Sequence, residues 1–189
     1  MPIYLTERFQ QALNYAYVLH KDQYRKGAEI PYFTHLMTVA ALVLENGGDE
    51  DQAIAALLHD AVEDQGGLKT LNEIRDFYGE HVAELVDGCT DAYAHPKGPW
   101  QERKTAYINK LKSADDKILL ISLADKIHNA RTILLELQSG NHDIWIIFKG
   151  GKDRTIWYYQ ELANVFDQSP FTKLKKELRI LVDEISRIA

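Results

Sequence analysis

Residues 53–64 read AIAALLHDAVED: an apolar run over residues 53–58, followed by His59, Asp60, Glu63 and Asp64. The run is built from strong helix formers and flanked by helix-compatible residues, so it belongs inside a packed helix. A histidine and three carboxylates that emerge from such a segment sit close to the core. Uncompensated buried charge is very costly, so these acids must open onto a cleft, be paired, or hold a cation. On one continuous helix over residues 50–64, His59 stacks with Glu63 and Asp60 with Asp64, each pair four residues apart. Adjacent His59 and Asp60 would then point about 100° apart. The pattern alone therefore leaves two readings, a shared metal site and a polar helix end capped by solvent.

A second stretch repeats this contrast. Residues 118–124 are the most apolar of the chain, and Asp125 follows them directly, with Asn129 and Thr132 four and seven residues further on. That spacing draws a polar stripe along one face of a core helix. The alternative pairs Asp125 with a neighbouring Lys or Arg and bonds Asn129 and Thr132 to backbone. His35 stands just before another amphipathic stretch, residues 37–44. His20, His81, His95, His128 and His142 read as structural or surface residues.

Working outward, apolar residues recur at helical spacing almost everywhere, β-branched residues are scattered and prolines number 5, so the expectation is an all-α, single-domain helical bundle over residues 1–189. A first helix is expected over about residues 6–20, a polar stretch to residue 29, and a second helix over about residues 32–45 with Pro31 in its first turn. Gly66 and Gly67 should end the third helix, and Thr70 with Glu73 reads as a capping box for the fourth. Gly79 and Gly88 bracket a short fifth. Residues 92–99, with His95, Pro96, Gly98 and Pro99, read as a loop. Helices over about residues 100–112 and 115–137 follow, then a weak apolar segment at residues 144–148. A helix carrying Trp157, Tyr158 and Tyr159 and a last amphipathic helix to Ile188 complete the chain. The aromatic trio is read as helix packing in preference to an interaction surface.

The composition excludes several classes. With 46% apolar and 26% charged residues the chain should fold, and its formal charge of −6 gives no electrostatic reason to gather on nucleic acid or anionic membranes. Any phosphate-bearing substrate needs local positive charge, for which Lys21, Arg25 and Lys26, or Lys149, Lys152 and Arg154, are candidates. No segment approaches the roughly 18 consecutive apolar residues of a membrane span. One cysteine, Cys89, and the absence of a signal-like N-terminus fit a cytoplasmic protein.

Taken together, His35, the pair His59 and Asp60, and the distant Asp125 resemble the H…HD…D signature of the HD phosphohydrolase superfamily. Within it, Arg25 and Lys26 with Pro31, Tyr32 and His35, the run at residues 58–64, and the run at residues 124–132 resemble the hydrolase domain of Rel/SpoT-type alarmone enzymes and the stand-alone small alarmone hydrolases. The resemblance spans about residues 6–134 and weakens over the C-terminal helices at about residues 141–189. Leu36 and Gln65 depart from the family's usual proline and threonine. They spare the ligands and leave the substrate open.

The resemblance implies a metal held by His35, His59, Asp60 and Asp125. It implies Mn2+, although two imidazoles and two carboxylates also suit Fe2+, Co2+ or Zn2+. It further implies acid-base work by Glu63 and Asp64, with Arg25 and Lys26 facing the nucleotide and Asn129 and Thr132 lining its pocket. The implied reaction is removal of the 3′-pyrophosphate from guanosine tetra- or pentaphosphate. Adenosine alarmones, the 2′-phosphate of NADPH, and a non-catalytic nucleotide sensor are the alternatives. The partner expected is a small nucleotide, with no nucleic acid and no membrane; oligomeric state is not legible.

Overall fold

Every residue from 53 to 58 is fully buried, and these residues form the body of α3 (Glu50–Leu58), the helix on which the first of two compact units, Met1–Gly98, is assembled. The computed structural model describes residues 2–94 and 96–189; the expectation for His95 lies outside them. Among the described residues the chain is all-α, with ten α-helices, one 3-10 helix and a single isolated bridge between Tyr24 and Pro31.

In the first unit, α1 (Glu7–His20) starts where Thr6 accepts a hydrogen bond from the Arg8 N–H, and it buries a narrow stripe, Ala12, Ala16 and His20. Small residues at that spacing let α1 approach α3 closely. A loop closed by Arg25 N–H to the Ile30 carbonyl and Tyr32 N–H to the Gln23 carbonyl leads to α2 (Phe33–Glu45). Pro31 belongs to this bridged loop, so the expected first-turn proline is corrected: the bridge holds it out of the helix.

The expected continuous helix over residues 50–64 is also corrected. After a reciprocal capping box between Asp49 and Gln52, α3 ends at Leu58, and α4 (Ala61–Gln65) is a separate short helix. The side chain of His59 supplies the reason: its Nδ1–H donates to the Ala56 carbonyl at 2.8 Å. That carbonyl is the acceptor the Asp60 N–H would use in a continuous helix. Asp60 turns instead with φ −98° and ψ −3°.

The fourth expected helix is shifted as well. Gly67, at φ +62°, ends the turn, and α5 (Leu68–Tyr78) starts immediately after it with no side-chain cap. Thr70 lies inside α5 and donates to the Gln65 carbonyl, so the proposed Thr70 capping box does not form. Helix α6 (Glu80–Cys89) starts after Gly79, contains Gly88, and packs with α5 and α3.

The second unit, Pro99–Ala189, is built on α8 (Asp116–Gln138), whose first turn is capped by the Asp115 carboxylate accepting from the Lys117 N–H. It also holds α7 (Trp100–Lys112), a 3-10 helix (His142–Ile147), α9 (Gly151–Phe166) and α10 (Thr172–Ile188). Leu174, Leu178, Leu181, Val182 and Ile185 make the buried seam of α10, which packs against α8 and α9. Each such side chain contributes roughly 1.5–3 kcal/mol of apolar burial. The weak apolar segment at residues 144–148 becomes the 3-10 helix, in which only Ile144 is buried. No helix among the described residues is long and apolar enough to cross a membrane.

Candidate active site

The turn between α3 and α4 gathers the first unit's polar residues. Because Nδ1 of His59 is spent on the Ala56 carbonyl, its tautomer is set and Nε2 is the nitrogen with a lone pair to offer. That Nε2 lies 3.0 Å from Oδ2 of Asp60, and Nε2 of His35, in the first turn of α2, lies 3.6 Å from the same oxygen. The two imidazole rings meet edge to face at 5.2 Å. Both histidines are buried. The bend thus achieves what a regular helix cannot: His59 and Asp60, adjacent in sequence, converge on one point together with His35.

Asp60 is held from the other side by Tyr32, whose hydroxyl donates to Oδ2. His20 stacks on the Tyr32 ring, with centroids 5.5 Å apart and planes 22° apart. The Arg25 guanidinium lies 5.7 Å from the Tyr32 centroid, so Arg25 sits beside the cluster, whereas Lys26 is exposed on the loop.

Glu63 and Asp64 are gripped by a residue that the sequence did not single out. Lys97 Nζ donates to Glu63 Oε1 at 2.7 Å and to Asp64 Oδ1 at 2.9 Å. Burial alone would push the Lys97 ammonium down, but the Glu63 and Asp64 carboxylates hold it above the usual lysine range. Nearby, Gly67 allows a close backbone approach: a Cβ there would lie 2.3 Å from the Tyr93 carbonyl oxygen. On its other side Asp64 accepts from Gln23 Nε2 at 2.9 Å. No periodicity announces Lys97 or Gln23, because both come from irregular segments far from α4 in sequence.

In the second unit Asp125 is buried on α8. It accepts from Asn129 Nδ2, one turn on, and from the ammonium of Lys126. Burial opposes charge on Lys126, but Asp125 above all keeps its affinity for the proton well above the ordinary lysine value. Lys126 also lies 5.3 Å from the Tyr107 ring centroid. The Thr132 hydroxyl donates to the His128 carbonyl at 3.0 Å, the local backbone bond weighed as its alternative. Tyr158 and Tyr159 are buried within this unit, in line with their reading as packing residues. Arg154 bonds the carbonyls of Gly150 and Lys149 and stacks over Trp100.

A family model described as HD domain matches residues 12–145. The chain is 31% identical to the Drosophila melanogaster guanosine-3′,5′-bis(diphosphate) 3′-pyrophosphohydrolase MESH1, over 99% of this chain and 97% of that protein. It is 34% identical to the Escherichia coli bifunctional (p)ppGpp synthase/hydrolase SpoT, over 67% of this chain and 18% of that protein. It spans 16% of the length of long relatives from Mycobacterium leprae and Synechocystis. Among solved structures it is similar to a metazoan orthologue of SpoT that hydrolyzes ppGpp, with TM-score 0.76, 28% identity, and 98% and 97% of the two chains covered.

Proposed function

The chain belongs to the HD-domain family, and from that premise we propose that it is a metal-dependent phosphohydrolase that removes the 3′-pyrophosphate of guanosine tetra- or pentaphosphate. The observation that carries the reading is the convergence of His35 Nε2 and His59 Nε2 on Asp60 Oδ2. Likeness to a guanosine-3′,5′-bis(diphosphate) 3′-pyrophosphohydrolase over nearly the whole chain supports the substrate. The family model runs through Gly98, which supports reading residues 1–189 as one HD domain.

The donor chemistry fits a divalent transition metal. Imidazole nitrogens with a set tautomer and carboxylates with donors of their own are the groups such ions take. We propose His35, His59, Asp60 and Asp125 as the ligands, three of which, His35, His59 and Asp125, are buried donors of this kind. Mn2+ is the ion we assign. An ion held there supplies Lewis acidity and acidifies a coordinated water.

The chain's own residues supply the rest. Tyr32 and Asn129 orient Asp60 and Asp125 through the hydrogen bonds they donate. Glu63 and Asp64 take the proton of the attacking water and return one to the leaving oxygen. The water oxygen bonds to phosphorus, the bond from phosphorus to the 3′ oxygen breaks, and GDP or GTP leaves with pyrophosphate. Lys97 holds both carboxylates in place through the hydrogen bonds it donates until substrate arrives. Arg25 and Lys26 meet the nucleotide, as do Asn129 and Thr132 in the second unit.

Turnover of ppGpp, pppGpp, ppApp, NADPH and simple nucleotides, measured with Mn2+ before and after chelation, tests the reading. Release of pyrophosphate from ppGpp, lost on chelation, is the expected result. Preference for ppApp or NADPH would move the substrate and keep the metal site. No turnover of any of them would sink the enzyme reading.

A further inference from the structure

We infer that His20 is a positioning residue that aims Asp64 through Gln23, an inference that rests on the proposed role of Asp64 in proton transfer. His20 closes α1, is 1% exposed, and lies 2.7 Å through Nδ1 from Gln23 Oε1. Gln23 Nε2 then donates to Asp64 Oδ2 at 2.9 Å, and Gln65 Nε2 donates to Gln23 Oε1 at 2.6 Å.

The direction of this chain is forced. An ionised carboxylate only accepts, so Gln23 must turn its NH2 toward Asp64. Its carbonyl oxygen then faces His20 and Gln65, and an oxygen only accepts. Nδ1 of His20 must therefore carry the proton, and Nε2 carries the lone pair. That Nε2 is buried with no hydrogen-bond partner among the described residues. A second proton there would have nothing to bond. Burial, the largest influence, accordingly pushes the His20 imidazole down from its ordinary value.

The consequence concerns geometry at Asp64. An amide can flip end for end at little cost, and a flipped Gln23 would set its oxygen against the Asp64 carboxylate. His20 removes that state, because the flipped NH2 would meet the Nδ1–H donor. Stacking on Tyr32 keeps the imidazole in place while the Tyr32 hydroxyl holds Asp60. One buried ring thus serves two carboxylates on α4 and its preceding turn, and its hydrogen-bonding edge serves Asp64.

The test uses the full-length chain and a double-mutant cycle. Gln23→Ala and His20→Phe, the latter keeping a ring for Tyr32, should each lower kcat for ppGpp by about 10-fold to 100-fold, the scale of a misaimed group. KM, metal content and melting temperature should stay close to wild type. The double variant should be no worse than Gln23→Ala alone, because both changes remove one linkage. His20→Asn, whose amide can donate from the Nδ1 position, should recover most of the rate. Independent multiplicative losses, or unchanged kcat, would overturn the inference. Nitrogen-15 NMR of labelled histidine in the zinc-loaded protein should show His20 as the neutral Nδ1–H tautomer. An Nε2–H tautomer overturns the relay. A wild-type protein that leaves ppGpp intact sinks the proposed function instead, and the tautomer, read without turnover, then decides whether the relay exists.

Discussion

The Tyr32 hydroxyl donates to Oδ2 of Asp60, the same oxygen that lies 3.0 Å from His59 Nε2. Tyr32 therefore fixes the carboxylate rotamer at the point where both imidazoles converge. Removing that donor in Tyr32→Phe leaves the ring and its stacking intact. Metal affinity, measured by titration of the metal-free chain, should fall by about 10-fold or more, the usual scale for losing such a support. Unchanged affinity would show that Asp60 is held by other contacts.

Asp125→Ala should abolish both bound metal and turnover. It removes a proposed ligand and also leaves the part-buried Lys126 ammonium without its carboxylate. Asp125→Asn separates the two effects, since it keeps the shape and reduces the charge. Metal analysis of both purified variants is the check, and full metal occupancy in either would remove Asp125 from the ligand set.

Glu63→Gln and Asp64→Asn should each keep the metal and lose turnover by about 100-fold, the scale of a positioned acid or base. Lys97→Met should lower kcat as well, because Glu63 and Asp64 lose the cation they share. Loss of metal in Glu63→Gln or Asp64→Asn would mean that a ligand has been misassigned.

Stability should decline on the acid side partly through His20. Its affinity for a proton in the folded state lies below the ordinary value of 6.5, so between those two values the unfolded chain binds more protons than the folded one. The stability it contributes is present above about 6.5 and is lost as pH falls toward the folded value. His20→Asn, which cannot titrate there, should show a shallower acid slope in melting temperature between pH 7 and 5. An unchanged slope would assign the acid sensitivity to other groups.

Gly67→Ala should destabilise the fold by at least about 1 kcal/mol, since it forces a side chain into a left-handed conformation. The added Cβ would also press on the Tyr93 carbonyl at 2.3 Å. The Tyr93 segment continues to Lys97, so activity should fall further than the shift in melting temperature explains. Denaturant unfolding and kcat measured on the same preparation test both parts.

Much of the helix order was legible locally. The Thr6 and Asp115 starts, the break at residues 66–67 and the seam of α10 all follow from caps, glycines and apolar spacing within a few residues. Residues 59–60 were not legible in this way. Periodicity continued the helix through them, because a side chain that competes with the backbone for the Ala56 carbonyl leaves no trace in apolar spacing. The Thr70 capping box failed for a related reason: α5 starts right after Gly67, at φ +62°, and the Thr70 hydroxyl donates to the Gln65 carbonyl instead of capping.

By itself, then, the sequence determined an all-helical chain with histidines and carboxylates placed beside its apolar runs, since residue type and spacing act within one or two helical turns. Tertiary structure decided how those groups face one another. Lys97 reaches Glu63 and Asp64 across more than thirty residues, and Gln23 reaches Asp64 across forty-one. His20 owes its neutral tautomer to the orientation of Gln23. Such bonds depend on where the packed α1, α3 and α4 leave the irregular segments between helices, and on which donors must be satisfied once water is excluded.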